Sequence, residues 1–217
     1  MPSLFSSLLV VHIVAGSIAL IAGTIAAIAK KGSVLHKNVG LVFYWAMLAT
    51  ASTALVVSQL PTHQNWMLFG VGGFTAQMTL TGRRVVQARK TGSTWFDYAV
   101  LAFGSAFAVY MAFIGIRSLL AGNSFGIVSC VFSAVSFLYV WLDIRWLFFV
   151  AIKNVWLGNH ITRMVGALIA SYTAFLVVNI QVDYPFNLAV WLAPTLVGSV
   201  FIARMRAKFA SKKHLTK

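Results

Sequence analysis

Residues 160–175 read HITRMVGALIASYTAF. Together with the apolar residues that follow, this stretch is long enough to cross the hydrocarbon layer of a bilayer as a helix. It nevertheless begins with His160, and Arg163 comes three residues later. Polar and ionisable groups are costly in lipid and often have a function there. The stretch therefore predicts both a membrane helix and a polar site at one end of it.

The whole chain has the composition of a membrane protein. Of its 217 residues, 60% are hydrophobic and 9% are charged, whereas a soluble domain usually carries about 25% charged residues. So few charges cannot cover a surface that faces water, and lipid must therefore contact most of it. The net charge of +14 lies in short gaps between apolar runs. This argues against nucleic-acid binding, which uses a basic patch on a polar domain.

Seven apolar runs are long enough to cross about 30 Å of hydrocarbon. Backbone groups in lipid need internal partners, so these runs are predicted to be helices. The prediction is an all-α bundle of seven transmembrane helices that forms a single domain, 1–217, without a soluble part. The spans lie at about 4–29, 38–60, 65–82, 98–120, 123–142, 157–180 and 185–203, of which the third and seventh are the shortest.

The basic residues predict the orientation of the bundle. Lys and Arg favour the cytoplasmic side of a membrane. If the N-terminus is outside, 16 of the 17 basic residues lie on the inner side, and Arg117 alone lies toward the outer face. One wrongly assigned span would destroy this asymmetry. We therefore expect a cytoplasmic C-terminus, with residues 204–217 forming a basic tail against anionic lipids.

The longest inner connection, residues 143–156, has two interpretations. It reads DIRWLFFVAIKNVW, and its aromatic residues and two cations suit a segment that lies in the headgroup zone. Alternatively, it extends the fifth span. The sequence favours neither interpretation over the other.

Two predicted helices carry a histidine at the head of a face of small residues. Spacings of three and four residues define one face of a helix. On the first span this face is His12, Gly16, Ala19, Gly23 and Ala26, and on the sixth it is His160, Arg163, Ala167, Ala170 and Ala174. Small residues allow close contact between helices, so His12 and His160 are expected to point into the bundle. Arg163 is expected to reach the inner surface or to hold an anionic group there.

Four histidines sort by depth into two pairs. His36, at the start of the second span, is expected level with His160, and His63, in an outer loop, near the depth of His12. Two histidines at one depth can bind a haem iron axially or hold a metal ion. The leading interpretation is therefore a redox-linked membrane protein for electron transfer, whose cofactor is haem b or a quinone bound by His12, His36, His160, Arg163 and His63. A metal ion would use His12, His36 and His160.

Two other functions stay open, and so does enzyme activity. A transporter for a small solute or ion would line its path with polar residues of the spans, namely Gln77, Arg117, Asn179 and Asp183. Arg117 and Asp183 are expected to form a pair. No acidic residue is predicted at mid-membrane, where coupled carriers usually need one. The third interpretation is a structural or assembly protein without chemistry. Expected partners are the bilayer and anionic lipids, with a homo-oligomer or a membrane redox partner left open and nucleic acid not expected.

Two blocks of the chain resemble a family of uncharacterised bacterial multi-pass membrane proteins. The first, HIVAGSIALIAGTIAAIAKKGSVLHKNVGLVFYWAMLATASTAL from His12, has the pattern HxxAG, a KG turn and HxxxG. The second, HITRMVGALIASYTAFLVVN from His160, has HxxRMxGA and is the more specific. The matching residues are His12, Gly16, Lys31, Gly32, His36, Gly40, Met47, His160, Arg163, Met164, Gly166, Thr173, Phe175 and Asn179; Lys37 replaces an expected arginine. The resemblance implies a bacterial inner-membrane protein and supplies no activity.

Overall fold

The computed structural model describes residues 3–214, which form helices and connections without a strand. The seven α-helices are α1 Leu4–Ile28, α2 Val34–Val57, α3 Trp66–Thr91, α4 Trp95–Leu120, α5 Gly126–Ile144, α6 Ile152–Asn179 and α7 Phe186–His214. Six helices of this described part, all except α3, are long and apolar enough to cross a membrane. The prediction of an all-α, multi-pass membrane protein is confirmed in its helix content and in the length and apolar character of these six helices.

Helices α3 and α6 lie at the centre of the bundle. Helix α3 packs against α2, α4 and α6, while α6 also contacts α1 and α7. Residues 70–79 of α3 are all buried. A helix that protein surrounds on every side needs no apolar surface for lipid. This explains why α3, with polar residues such as Gln77 and Thr79 in its middle, is less hydrophobic than the other six.

The small-residue faces predicted for α1 and α6 are buried. Ala19 of α1 and Ala167 of α6 are both 0% exposed. A Cβ added at Gly23 would lie 2.7 Å from Leu168 and 2.8 Å from Phe43. These distances are shorter than atomic contacts allow, so the absence of a side chain at Gly23 lets α1, α2 and α6 meet.

The turn between α1 and α2 places His36. Gly32 has φ +82, a left-handed conformation that glycine adopts without strain. Ser33 then begins α2, because its hydroxyl oxygen accepts the backbone N–H of His36 at 3.2 Å. A serine at this position is a common helix cap. His36 is therefore fixed in the first turn of α2, close to the end of α1.

Helices α3 and α7 extend furthest beyond their predicted spans. Helix α3 continues past residue 82 to Thr91 and ends at Gly92, where φ is +74. Helix α7 continues past residue 203 to His214. The length of an apolar run reports the thickness of the hydrocarbon layer, whereas Arg, Lys, Gln and Ala residues continue a helix into water. The described part of the predicted tail is thus helical, and residues 215–217 lie outside the described residues.

At residues 143–156 the structure favours an extension of the fifth helix over a separate segment between the helices. Helix α5 continues through a π-helical turn, Arg145–Phe149, and the helix breaks at Val150 before α6 begins at Ile152. The first half of the connection therefore extends the fifth helix, and the second half starts the sixth. Trp146 of the π-helical turn is buried against Val85 and Ala88 of α3, so its ring lies in protein and not in the headgroup zone.

Gly126 is expected to be sensitive to any added side chain, because α4 and α5 are closest there. A Cβ at Gly126 would lie 2.6 Å from the carbonyl oxygen of Gly115. We expect Gly126→Ala to lower the free energy of unfolding by about 1–3 kcal/mol, as overpacking does, measured by thermal unfolding in detergent. Gly16→Ala is the control, since its Cβ would meet Thr50 at an ordinary 3.7 Å. Equal stability of the two variants would contradict this packing.

Candidate functional site

A cavity lies at the end of the bundle where α1 and α3 finish and α2 and α6 begin. Its volume is about 570 Å³, within the range of about 300–1,000 Å³ that is usual for cofactor and ligand sites. None of its lining residues is acidic. We call it the basic cavity, and its polar and charged side chains include Lys31, His36, Lys37, Arg83, Arg89 and His160, with Phe43, Ile161, Met164, Val165, Leu168 and Phe201 among its apolar ones.

The basic cavity contains the two histidines that the sequence places at one depth. The rings of His36 and His160 have centroids 6.4 Å apart, and their planes are inclined by 82°. His36 comes from the first turn of α2 and His160 from the third turn of α6. The structure therefore brings these two residues together from distant parts of the chain.

A backbone carbonyl orients each of the two rings. His36 Nδ1 lies 3.0 Å from the carbonyl oxygen of Ala26, and His160 Nδ1 lies 2.7 Å from that of Gly82. A carbonyl only accepts hydrogen bonds, so Nδ1 carries the proton and Nε2 is the basic nitrogen of the neutral ring. Histidines that bind metals are commonly oriented by such an N–H···O=C bond. Both residues thus offer Nε2 as a ligand.

Lys31 shares the Ala26 carbonyl with His36. Its Nζ donates to the carbonyl oxygens of Ala26, at 2.9 Å, and Ala27, at 2.5 Å. A cation here satisfies carbonyls at the end of α1 that have no partner within the helix. Partial burial lowers the pKa of Lys31 below its ordinary value. The end of α1, Lys31 and His36 therefore form one hydrogen-bonded unit beside the cavity.

The other two predicted histidines have separate surroundings. His12 Nδ1 lies 3.0 Å from both the carbonyl oxygen of Thr50 and the hydroxyl of Thr53. His63 stacks on Phe5, with ring centroids 3.5 Å apart. The structure does not pair the rings of His12 and His63, so the predicted second pair of histidines is not formed.

The three histidines proposed for a metal ion do not form one site. The partner of His12, Thr50, follows His36 by fourteen residues, or about 21 Å along α2. Among residues 3–214, no group of three His, Cys, Asp or Glu side chains could hold a metal ion. A bare ion bound by His12, His36 and His160 together is therefore not compatible with this arrangement.

Arg163 does not reach the membrane surface, and that prediction is wrong. Its side chain is 0% exposed, and its Nη2 donates to Asp143 Oδ1 at 2.5 Å and to the Tyr139 carbonyl oxygen at 3.0 Å. The anionic group that the sequence predicts beside Arg163 is thus an aspartate of the chain itself. A guanidinium with such a partner can stay in the interior, because the ion pair offsets the cost of leaving water. Arg163 does not line the basic cavity.

Sequence reasoning missed Asp143 as a member of this pair. The residue lies in the last turn of α5, is 2% exposed and also accepts a hydrogen bond from Trp146 Nε1 at 3.0 Å. One signal was available: Asp143 is one of three acidic residues in the chain and directly follows an apolar run. An acid at the end of a span requires a cation on a neighbouring helix.

The four residues of the predicted solute path are not gathered around one space. Gln77 is buried and packs beside Gly104, and its side-chain oxygen and nitrogen have no hydrogen-bond partner. Arg117, Asn179 and Asp183 are exposed. The ion pairs of the described residues are Arg84–Asp97 and Arg163–Asp143, so the expected pair of Arg117 and Asp183 is not formed. Transport stays a prediction without support from this geometry.

Removing one member of the buried ion pair is expected to destabilise the bundle strongly. Asp143→Ala leaves Arg163 buried without a counter-charge, and such losses cost about 3–5 kcal/mol. Asp183→Ala, which removes an exposed acid, is the control and should change stability by less than about 0.5 kcal/mol. Denaturant unfolding in detergent measures both. The double variant Asp143→Leu with Arg163→Met should recover most of the lost stability, because it leaves no unpaired charge. If the double variant is destabilised as much as Asp143→Ala, an unpaired charge is not the cause.

Comparison with known proteins adds no relative to this picture. No protein-family model, curated protein or solved structure matches the chain. The resemblance to a bacterial membrane family therefore stays a prediction. The chemistry of the basic cavity is what supports a functional inference.

Proposed function

We propose that this chain is a multi-pass membrane protein that binds haem b in the basic cavity, where His36 and His160 would hold the iron. The observation that carries this proposal is the pair of rings 6.4 Å apart, each oriented by a carbonyl. Nitrogen–metal bonds of about 2 Å place two imidazole centres on opposite sides of one ion about 6 Å apart. The centroid spacing of His36 and His160 is close to this value.

Haem fits the lining of the basic cavity better than the alternatives do. A bare metal ion needs about four ligands from the protein, whereas a porphyrin brings four nitrogens and leaves two positions for histidines. A quinone is neutral and would leave the basic side chains without counter-charge. An acidic lipid would supply that charge but would use neither imidazole. An apolar ring with two carboxylates matches the apolar wall, the cations and both histidines.

The proposed activity is electron transfer in the membrane. Bound haem supplies reversible one-electron chemistry at its iron. The chain contributes rigid ligands, because each Nδ1–H bond fixes its ring, and an apolar wall that excludes water, formed in part by Phe43 and Leu168. Burial of this kind tunes the reduction potential of a metal centre. Since the second pair of histidines is missing, the proposal involves one haem and no relay through both leaflets.

We also infer that all seven helices cross the membrane, with the N-terminus outside. The ends of α1 and α3 meet the starts of α2 and α6 through the bonds to His36 and His160. The Arg84–Asp97 pair joins the end of α3 to the start of α4. All these contacts lie at the end that carries most of the basic residues, which favours the cytoplasmic side. Helix α3 then crosses the membrane enclosed by protein.

Loss of either axial ligand is expected to abolish a six-coordinate haem spectrum. Purified protein in detergent, titrated with haemin and then reduced, should show the sharp Soret and α bands of a low-spin haem with two histidine ligands. His36→Ala and His160→Ala should lose these bands because iron would lack one ligand. His12→Ala is the matched control, since His12 bonds to α2 elsewhere. A wild-type protein without a Soret shift, or variants that all retain it, would refute the proposal.

Accessible tags at the two ends of the chain test the seven crossings. An odd number of crossings places the termini in different compartments. In intact cells, an N-terminal tag should be open to external protease and a C-terminal tag protected, with fluorescence from a C-terminal fluorescent protein as the second readout. Both tags in one compartment would mean that α3 or another helix does not cross, and would contradict the inferred topology.

A further inference from the structure

Arg83 is a cation of the basic cavity whose buried donor lacks a protein partner. It lies near the end of α3 and lines the cavity. Its Nη1 atom is buried and, among the described residues, has no hydrogen-bond acceptor. A buried charged donor without an acceptor costs more than an ordinary lost hydrogen bond. The position of Arg83 is therefore suited to an acceptor that arrives with a ligand.

The ring of Tyr44 orients Arg83. The guanidinium carbon lies 4.6 Å from the centroid of Tyr44 and 5.9 Å from that of Trp45. Stacking on an aromatic ring stabilises a guanidinium and leaves the N–H groups at its edge free for hydrogen bonds. An arginine in this state presents a planar fork that matches the geometry of a carboxylate.

The other cations of the basic cavity have different surroundings. Lys31 already donates to two carbonyls of α1. The Arg89 guanidinium stacks on Trp156, with its carbon 4.4 Å from the ring centroid. Lys37 is exposed. Among these lining residues, half-buried Arg83 thus combines a guanidinium plane set by an aromatic ring with a buried Nη1 that has no partner.

We propose that Arg83 binds a carboxylate of the porphyrin, and that the basic cavity thereby selects the dianionic ring over a neutral one. This inference rests on the proposed haem function and adds the residue that determines ligand charge. Asp97 and Asp143 pair with Arg84 and Arg163, and no acidic residue lines the cavity, so a ligand carboxylate would supply the acceptor that Arg83 lacks. A bidentate arginine–carboxylate contact is stronger than a hydrogen bond between neutral groups.

The test compares haemin with its dimethyl ester, in which both carboxylates are neutral. Each is titrated into purified protein in detergent, and the Soret change gives the dissociation constant. We expect the wild type to bind haemin about 10- to 100-fold more tightly than the ester, as a charged hydrogen bond would give. Arg83→Gln should weaken binding of haemin by about that factor and leave binding of the ester unchanged. Arg83→Lys, which keeps the charge but loses the fork, should lie between the two.

Lys90→Gln is the matched control, because Lys90 is exposed on the same helix and does not line the cavity. It should retain the wild-type preference. Equal affinity of the wild type for both porphyrins, or an Arg83→Gln variant that loses affinity for both equally, overturns the role of Arg83 and leaves haem binding intact. A wild type that binds neither porphyrin removes the haem proposal and this inference together. Thermal unfolding confirms that each variant is folded before titration.

Discussion

The enclosure of α3 by other helices is the constraint on which the centre of the bundle depends. Lipid contacts would require an apolar surface, but protein surrounds residues 70–79 on all sides. The helix can therefore carry glycines and polar residues, and its far end supplies the carbonyl of Gly82 to His160. Close packing at that point is strict, because a Cβ at Gly82 would lie 2.6 Å from Met164 Sδ and 3.2 Å from Arg163 Cβ. The position of α3 thus fixes one wall of the basic cavity and one of its histidines.

Scarcity of acidic residues gives the basic cavity its character. The chain has 17 basic residues and three acidic ones. Asp97 and Asp143 are used in ion pairs between neighbouring helices, and Asp183 lies in the exposed connection before α7. The cavity receives no negative charge from its own lining, although lipid and apolar side chains surround this part of the bundle. Its electrostatic complement is therefore an anion with an apolar body.

The sequence predicts those features of the fold that depend on local pattern. Run length and helical spacing predict the helices, the buried small-residue faces and the common depth of His36 and His160. The Asp143–Arg163 pair was not predictable in the same way, because a contact across twenty residues depends on which helices are neighbours. The sequence indicates Arg83 only as one of the basic residues on the predicted cytoplasmic side, because its position beside a cavity also depends on which helices are neighbours. The sequence did not predict how far α3 and α7 extend beyond their apolar runs. Hydropathy indicates which residues face lipid, but it does not indicate where a helix ends.

Helix α7 closes one side of the basic cavity without contributing a fully buried side chain between Phe186 and Phe209. Phe201 and Met205 line the cavity, while the packing of this helix is mainly against α6. Leu188 and Trp191 of this helix pack on the outside of the core, where the Trp191 ring contacts Phe125 and Phe132. On this side a single outer helix stands between the basic cavity and the surroundings of the bundle. Substitutions at Phe201 or Met205 would therefore change the wall of the cavity without removing a fully buried side chain.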